Sequence, residues 1–197
     1  MDDMIVLNFE KVALSDDDFI ELCADNRDFL FETTARKELI IMTPPGPKTG
    51  FQNTILAADL VIWARQDGRG IALVPGVVYH LPNGARRGPD ASWVRKELWD
   101  ALMEEKREKL PQFCPDFVAE LMSPSDRRPA RFRMLQAKME EYIANGAELA
   151  WLIDPFQKKA HIYRPGQPIQ VLEEPQTISG EPVLSGFVFN VAQIWQV

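Results

Sequence analysis

The chain is poor in residues that bind soft metals or form disulfides. Its 197 residues include two cysteines, Cys23 and Cys114, which lie far apart and form no CxxC pair. The two histidines, His80 and His161, are equally isolated. The sequence therefore indicates neither a disulfide framework nor a zinc knuckle. A metal would have to be held by oxygen ligands, which suit magnesium or manganese better than zinc.

The chain also lacks a long hydrophobic run. No stretch of about 18 or more apolar residues occurs, which argues against a membrane-spanning helix. The N-terminal segment is acidic, where a secretory signal would be basic and then hydrophobic. We therefore expect a cytoplasmic protein that has no membrane partner.

Positive charge is in the minority. The formal net charge is −7, which argues mildly against a constitutive nucleic-acid binder, because tight phosphate binding relies on lysine and arginine. Two groups of arginines would form a positive rim if the strands beside them were neighbours, although each arginine alone is as well explained as a solvated surface residue. The groups are Arg86 and Arg87, and then Arg127, Arg128, Arg131 and Arg133.

The hydrophobic content of 46% fits a folded protein, and we expect one domain over residues 1–197. Apolar runs between turn signals predict strands at 29–32, 38–42, 71–74, 77–81, 90–94, 117–122, 149–153, 159–163, 169–172 and 187–189. Helical patterns follow Ser15, span 49–65 and 96–109, and carry Phe132 to Ile143. This order predicts an α/β (mixed α+β) fold, with a central mixed sheet flanked by helices. Residues 1–47 would support a core at 48–164, with further strands at 165–197.

Glu120 is the acidic residue that is hardest to attribute to an ordinary structural role, because of its apolar sequence neighbours. It lies within an apolar strand, on the same side as Val118 and Met122, because side chains alternate along a strand. An ionised carboxylate there loses hydration at a cost of several kcal/mol unless a cation or hydrogen bonds replace the water. A divalent metal is the economical candidate, and a buried salt bridge to an arginine is the alternative.

Asp90 and Lys138 complete a candidate trio with this glutamate. Asp90 begins another predicted strand, although an aspartate after a proline can simply cap a turn. Lys138 lies about 90° from the apolar stripe of its helix, so it can reach along the sheet, although a lone lysine there is most often a plain surface residue. The hypothesis depends on the three residues together.

Three other aspartates rank lower. Asp116 shares the strand of Glu120 but lies ~13 Å away along it. Asp126 and Asp154 are most simply a helix cap and a turn residue.

Four linked motifs also carry a resemblance to a known family. The chain resembles the bacterial Uma-two family of restriction-endonuclease-like proteins, within the PD-(D/E)XK nuclease superfamily. The similarity runs from Phe19 to Trp195 through RRGPDASWV, CPDFVAELMSPSD, QAKMEEYIANGAELAWLIDP and SGEPVLSGFVFNVAQIW. It implies a restriction-endonuclease-like core and a metal-dependent phosphodiesterase that cleaves DNA.

The resemblance assigns roles residue by residue. Asp90 matches the aspartate of the PD motif, and Glu120 matches the acidic residue of the (D/E)XK strand. Met122 stands where the superfamily usually has lysine, and Lys138 matches the family's lysine in KMEEY. Glu38 matches a glutamate that the family often shows, although this chain has Ala-Arg-Lys at 35–37 where the family usually has a glycine turn.

The implied chemistry is phosphodiester hydrolysis with Mg²⁺ or Mn²⁺. Asp90, Glu120 and the Leu121 carbonyl would hold the cation, while Lys138 would orient or help deprotonate the attacking water. Glu38 would support a second metal or the water network. The residues expected to steer and clamp the DNA backbone are Arg86, Arg87, Arg127 and Arg131.

Two other functions stay open at this point. One is a catalytically idle relative of the same fold that binds nucleic acid or protein, and the weaker one is a hydrolase of small phosphate esters. A homodimer would fit the nuclease, because nucleases that cut both strands commonly pair two sites.

Overall fold

The structure is a computed structural model that describes residues 4–103 and 109–197. It confirms the predicted mixed α/β class, with helices packed on a central mixed sheet. No helix in the described part of the chain is long and apolar enough to cross a membrane.

A six-stranded sheet forms the centre of the fold. In spatial order its strands are β11 (Gln170–Glu173), β10 (Lys159–Tyr163), β9 (Leu149–Asp154), β8 (Phe117–Leu121), β7 (Ala91–Arg95) and β4 (Gly70–Leu73). Strands β8 and β9 run parallel, and the other neighbours are antiparallel. The predicted hairpin of β9 and β10 is confirmed, with Asp154 opposite Lys159.

A smaller sheet of five strands lies in the N-terminal half. In spatial order it contains β1 (Met4–Asn8), β3 (Glu38–Met42), β2 (Leu30–Thr33), β6 (Arg86–Arg87) and β5 (Tyr79–His80). Its described pairs are all antiparallel. Phe19 from the first helix packs with Phe31 and Leu39 of this sheet. A separate two-stranded pair, β12 (Ile178–Ser179) with β13 (Val188–Phe189), lies near the C-terminus.

Two long helices cover opposite faces of the central sheet. The helices are α1 (Asp16–Asp25), α2 (Pro47–Asp67), α3 (Lys96–Asp100), α4 (Pro129–Ala144) and α5 (Ala192–Trp195). Leu56 and Leu60 of α2 belong to one apolar cluster. Met139 and Tyr142 of α4 belong to the other. The central sheet is therefore the middle layer of three.

Strand β8 is buried along its whole length because both of its faces are covered. Phe117, Ala119 and Leu121 face the cluster that contains α2. Val118 and Met122 face the cluster that contains α4. The alternation predicted from the sequence is thus present, and it places Glu120 on the α4 side.

Some elements differ from the prediction. The short strands β1, β6 and β12 were not predicted, because each is defined by its pairing with another strand and not by a clear pattern of its own. Within the described part of the segment 96–109, which was predicted to be helical, Lys96–Asp100 forms an α-helix. Part of that prediction, residues 104–108, lies outside the described residues.

Candidate functional site

The two candidate acids lie side by side at the end of strands β7 and β8. Ala91 pairs with Ala119 in the antiparallel register of these strands. Asp90 comes directly before β7, and its Oδ2 accepts from the N–H of Leu121, the residue after Glu120. Glu120 contacts Lys138 of α4, whereas Asp90 contacts Asn53 of α2, so the two carboxylates lie close to each other at this end of the sheet.

Asp90 is held by two hydrogen bonds. Its Oδ1 accepts one from Asn53 Nδ2 at 2.8 Å, and its Oδ2 accepts one from the Leu121 backbone N–H, also at 2.8 Å. In an extended strand, the N–H and C=O of one residue point to the same side. The Leu121 carbonyl therefore also faces the Asp90 side, where the sequence analysis expected it to serve as a ligand.

Lys138 reaches both this acidic pair and a second buried acid. Its Nζ lies 2.6 Å from Glu120 Oε1 and 2.7 Å from Glu32 Oε1. It also donates to the Gly88 carbonyl at 3.2 Å. These three contacts match the three donors of an ammonium group. The side chain is only 11% exposed, so the helix boundary position brings the amine into the interior.

Glu32 is a member of the site that the sequence analysis did not select. It is buried on β2, where its Oε1 accepts from the Gly88 N–H at 3.0 Å and its Oε2 lies 3.1 Å from Arg87 Nη1. The available signal was a carboxylate directly after Phe31 in a predicted strand, the same kind of setting that drew attention to Glu120.

Glu38 lies on the neighbouring strand β3 and lines the same cleft. Its Oε2 accepts a hydrogen bond from the Thr34 hydroxyl at 2.9 Å. The described hydrogen bonds and ion pairs do not join it to Asp90, Glu120 or Lys138.

Burial and mutual repulsion disfavour ionisation of the acidic pair. Burial, with Asp90 and Glu32 nearby, raises the pKa of Glu120 to about 8, although Lys138 opposes the shift. Burial also raises the pKa of Asp90, against the opposing effects of the Leu121 N–H and Lys138.

Lys138 and Glu32, in contrast, have pKa shifts that favour their charged forms. Burial alone would lower the pKa of Lys138, but the nearby Glu120 and Glu32 outweigh it and raise the pKa. Burial alone would raise the pKa of Glu32, but Lys138 and Arg87 outweigh it and lower the pKa. Lys138 therefore carries its proton at neutral pH.

The charge balance of the cluster suits a divalent cation. The four carboxylates are those of Glu32, Asp90, Glu120 and Glu141. Lys138 and Arg87 supply two positive charges, so full ionisation leaves an excess of two negative charges. Within residues 4–103 and 109–197, no three acidic, histidine or cysteine side chains gather as a metal site. Two carboxylates, one carbonyl and waters nevertheless form a ligand set that Mg²⁺ accepts.

The raised pKa of Glu120 predicts that cation affinity depends on pH. Below pH 8 its carboxyl group carries a proton that must leave before a cation binds. The Mn²⁺ association constant should therefore rise by up to about tenfold per pH unit between pH 6 and 8, and level off above that range. Calorimetry in buffers of different ionisation heat measures both affinity and proton release. An affinity that is flat across this range would contradict the prediction.

Arg86 and Arg87, which the sequence predicts as DNA-clamping residues, are engaged in buried ion pairs. Arg86 Nη2 lies 2.6 Å from Asp16 Oδ1, and its guanidinium lies over the Phe19 ring. Arg87 Nε lies 2.6 Å from Glu141 Oε2, in addition to its contact with Glu32. Both residues are buried. Each would have to leave these ion pairs to contact a DNA phosphate, and their role in clamping the DNA backbone stays a prediction from the sequence.

Arg127 and Arg131 remain available near the cleft. Arg127 is exposed, with its guanidinium 5.2 Å from the centre of the Phe156 ring. Arg131 lines the cleft, and its Nη2 lies 3.6 Å from Asp126 Oδ1. Its Nη1 is buried and has no hydrogen-bond partner in the described part of the chain.

Arg87→Met should lower the free energy of unfolding by about 3–5 kcal/mol, because it leaves Glu141 without its partner cation and Glu32 with Lys138 alone. Arg127→Met is the control, since its exposed guanidinium should contribute within about 0.5 kcal/mol. Urea unfolding followed by circular dichroism measures both. Equal stability of the two variants would show that Arg87 is not a structural cation.

The remaining aspartates have ordinary structural roles. Asp116 accepts from the backbone N–H and the Nε of Arg95, at 2.7 and 2.6 Å. Asp126 accepts from the Ser123 N–H in a capping box, as expected of a helix cap. Asp154 accepts from the backbone N–H groups of the two residues after Pro155, as expected of a turn residue.

The site opens into a cleft of about 630 Å³ between the smaller sheet and α4. Its polar floor includes Glu32, Asp90, Glu120 and Lys138. Its walls include apolar side chains of both elements, among them Met4, Leu30, Met42, Met134 and Leu135.

The fold is that of a nuclease-like α/β protein. The chain is similar to a solved structure described as a putative nuclease belonging to DUF820, from Anabaena variabilis. The match has a TM-score of 0.74 and 18% sequence identity, and it covers 93% of this chain and 98% of the other. At this identity the likeness establishes the fold alone.

The family follows from the sequence itself. Residues 16–192 match the family model Uma2, described as "Putative restriction endonuclease". Because this match spans most of the 197 residues, the chain belongs to that family. This confirms the resemblance stated from the motifs. No curated protein matches the chain.

Proposed function

We propose that the protein hydrolyses phosphodiester bonds of DNA, using a divalent cation held by Asp90 and Glu120. The observation that carries the proposal is the meeting of three side chains from separate elements. Lys138 Nζ lies 2.6 Å from Glu120 Oε1, and Asp90 accepts a hydrogen bond at 2.8 Å from the N–H of Leu121, the residue after Glu120. Membership in a restriction-endonuclease family supports the same chemistry.

The cation would be Mg²⁺ or Mn²⁺, with the Asp90 and Glu120 carboxylates and the Leu121 carbonyl as its protein ligands. Such a cation, when bound, lowers the pKa of a coordinated water and neutralises charge on the phosphate. The Asn53 and Leu121 donors fix the Asp90 carboxylate in place. Fixed ligands reduce the reorganisation needed during reaction.

Lys138 would act through its charge and its donors. Because its pKa is raised, it keeps its proton at neutral pH and is unsuited to serve as a general base. We assign it to orienting the attacking water and stabilising negative charge on the phosphate. In these roles Asp90, Glu120 and Lys138 correspond to the PD-(D/E)XK residues, with the amine supplied by α4.

The cleft offers further groups to the substrate. Arg131 has a buried Nη1 without a partner in the described residues, and an Arg–phosphate contact would satisfy it. Arg127 would add a weaker, exposed contact. We propose Glu38 only as part of the water network at the cleft wall. A homodimer and a cytoplasmic location remain predictions from the sequence.

The test is cleavage by purified protein with Mg²⁺, with Mn²⁺ and with EDTA. Supercoiled plasmid and single-stranded DNA serve as substrates, and Asp90→Asn is the matched inactive variant. We expect cleavage that requires a cation and is lost in the variant. Cleavage that persists in EDTA or in Asp90→Asn would contradict the proposal.

The same assay separates the alternatives. A catalytically idle relative would cleave nothing and would show no Mn²⁺ binding that depends on Glu120. A hydrolase of small phosphate esters would turn over a chromogenic phosphodiester or monoester and leave the DNA intact.

A further inference from the structure

Asn53 is a buried residue on α2, and only one of its two side-chain polar atoms has a hydrogen-bond partner among the described residues. The residue is 6% exposed. Its Nδ2 donates to Asp90 Oδ1 at 2.8 Å. Its Oδ1 is buried and has no hydrogen-bond partner among the described residues. An unpaired buried carbonyl oxygen is unfavourable, so a native structure that keeps one calls for a specific reason.

The orientation of this amide is determined by its neighbour. A flipped amide would set its carbonyl oxygen against the Asp90 carboxylate, where both groups are acceptors. Oδ1 is therefore held within roughly 5 Å of Asp90 Oδ1, as the covalent geometry of the amide requires. Asn53 also lines the cleft that contains Glu120 and Leu121.

The donors that contact the two acids are already committed. The Leu121 N–H donates to Asp90, and Lys138 contacts Glu120, Glu32 and the Gly88 carbonyl. The missing donor for Asn53 Oδ1 is therefore external to these groups. An anionic ligand offers no donor and would be repelled by Asp90 and Glu120. A hydrated divalent cation offers both the positive charge and water protons, because Mg²⁺ usually keeps several waters.

We propose that Asn53 is a positioning residue of the cation site: its Nδ2 holds Asp90, and its Oδ1 accepts a hydrogen bond from a water carried by the cation. The inference rests on the proposed function, since it needs the cation at Asp90 and Glu120. It assigns to α2 a fourth oxygen-bearing group toward the hydrated ion, beyond the two carboxylates and the Leu121 carbonyl. An outer partner of this kind typically changes metal affinity by about 10–100-fold.

The test measures Mn²⁺ affinity and, separately, unfolding in EDTA. Asn53→Leu keeps the approximate size and removes both polar atoms, and it should weaken Mn²⁺ binding by about 10–100-fold. The matched control is Gln52→Leu on the same helix. Gln52 is also a buried amide, but its Nε2 donates to the Ile194 carbonyl at 2.9 Å, away from the acids. Its loss should lower stability and leave Mn²⁺ affinity within about twofold.

Asn53→Asp gives an independent reading if the leucine variant does not fold. It retains an oxygen acceptor but replaces the Nδ2 donor with a carboxylate beside Asp90, so its Mn²⁺ affinity should differ from that of the wild type by at least about threefold and should depend more steeply on pH. Wild-type affinity in both Asn53→Leu and Asn53→Asp would overturn the inference and leave the cation site itself intact. Wild-type protein that binds no Mn²⁺, or binds it equally well as Glu120→Gln, would instead overturn the proposed function.

Discussion

Glu120→Gln is expected to abolish measurable Mn²⁺ binding and DNA cleavage while the protein stays folded. The change removes one of the two carboxylates and keeps the shape of the side chain in its buried position on β8. A direct ligand should matter more than an outer partner, so the affinity should fall by more than about 100-fold. In the metal-free protein, a neutral amide takes the place of the carboxyl group near Asp90, so the repulsion between the two acids disappears.

Asp116→Asn is the matched control, because Asp116 is also a buried acid beside the same strand. It pairs with Arg95 and not with the site. We expect a less stable protein whose Mn²⁺ affinity is unchanged. Calorimetry at pH 8 compares the two variants. Equal losses of affinity in both would show that Mn²⁺ binding reports general damage and not a site at Glu120.

Lys138→Met should lower kcat by about 10²–10³-fold while Mn²⁺ affinity stays similar or rises. The ammonium lies 2.6 Å from Glu120 Oε1, so it competes with a cation for that carboxylate in the metal-free protein. Removing it deprives the water and phosphate of a positive donor but leaves both carboxylates in place. We therefore expect a variant that still binds Mn²⁺ but cleaves DNA slowly.

Lys138→Arg tests whether charge alone is sufficient. The arginine keeps the positive charge, but its planar group cannot reproduce the three contacts of the ammonium with Glu120, Glu32 and the Gly88 carbonyl. We expect it to recover only a small part of the activity lost in Lys138→Met. Single-turnover cleavage at saturating Mn²⁺ measures both variants. Full activity in Lys138→Met would remove this residue from the reaction.

The central layers of the fold were predictable because their signals are local. Strand β8 is a short apolar run between breaks, and α4 has a regular apolar stripe that positions Lys138 at its edge. Alternation along β8 was enough to place Glu120 with Val118 and Met122. Strands β1 and β6 lacked such signals, because pairing with β3 and β2 defines them, and such pairing cannot be seen locally.

The site could be predicted only where the polarity of a residue differed from that of its sequence neighbours. Glu120 stood out as an acid among apolar residues. Arg87 did not, because its burial depends on meeting Glu32 and Glu141 from two distant segments. Asn53 had a weak signal: it lies one helical turn before Ala57 and three residues before Leu56, on the buried face of α2. A polar residue on that face indicates a partner, but the sequence does not reveal which one.

The most direct measurement is a crystal structure of the protein soaked in Mn²⁺, with anomalous data collected at the manganese edge. We predict one anomalous peak within bonding distance of the Asp90 and Glu120 carboxylates and the Leu121 carbonyl, with Lys138 beside it. A peak elsewhere, or no peak at a saturating Mn²⁺ concentration while Lys138 still holds Glu120, would contradict it.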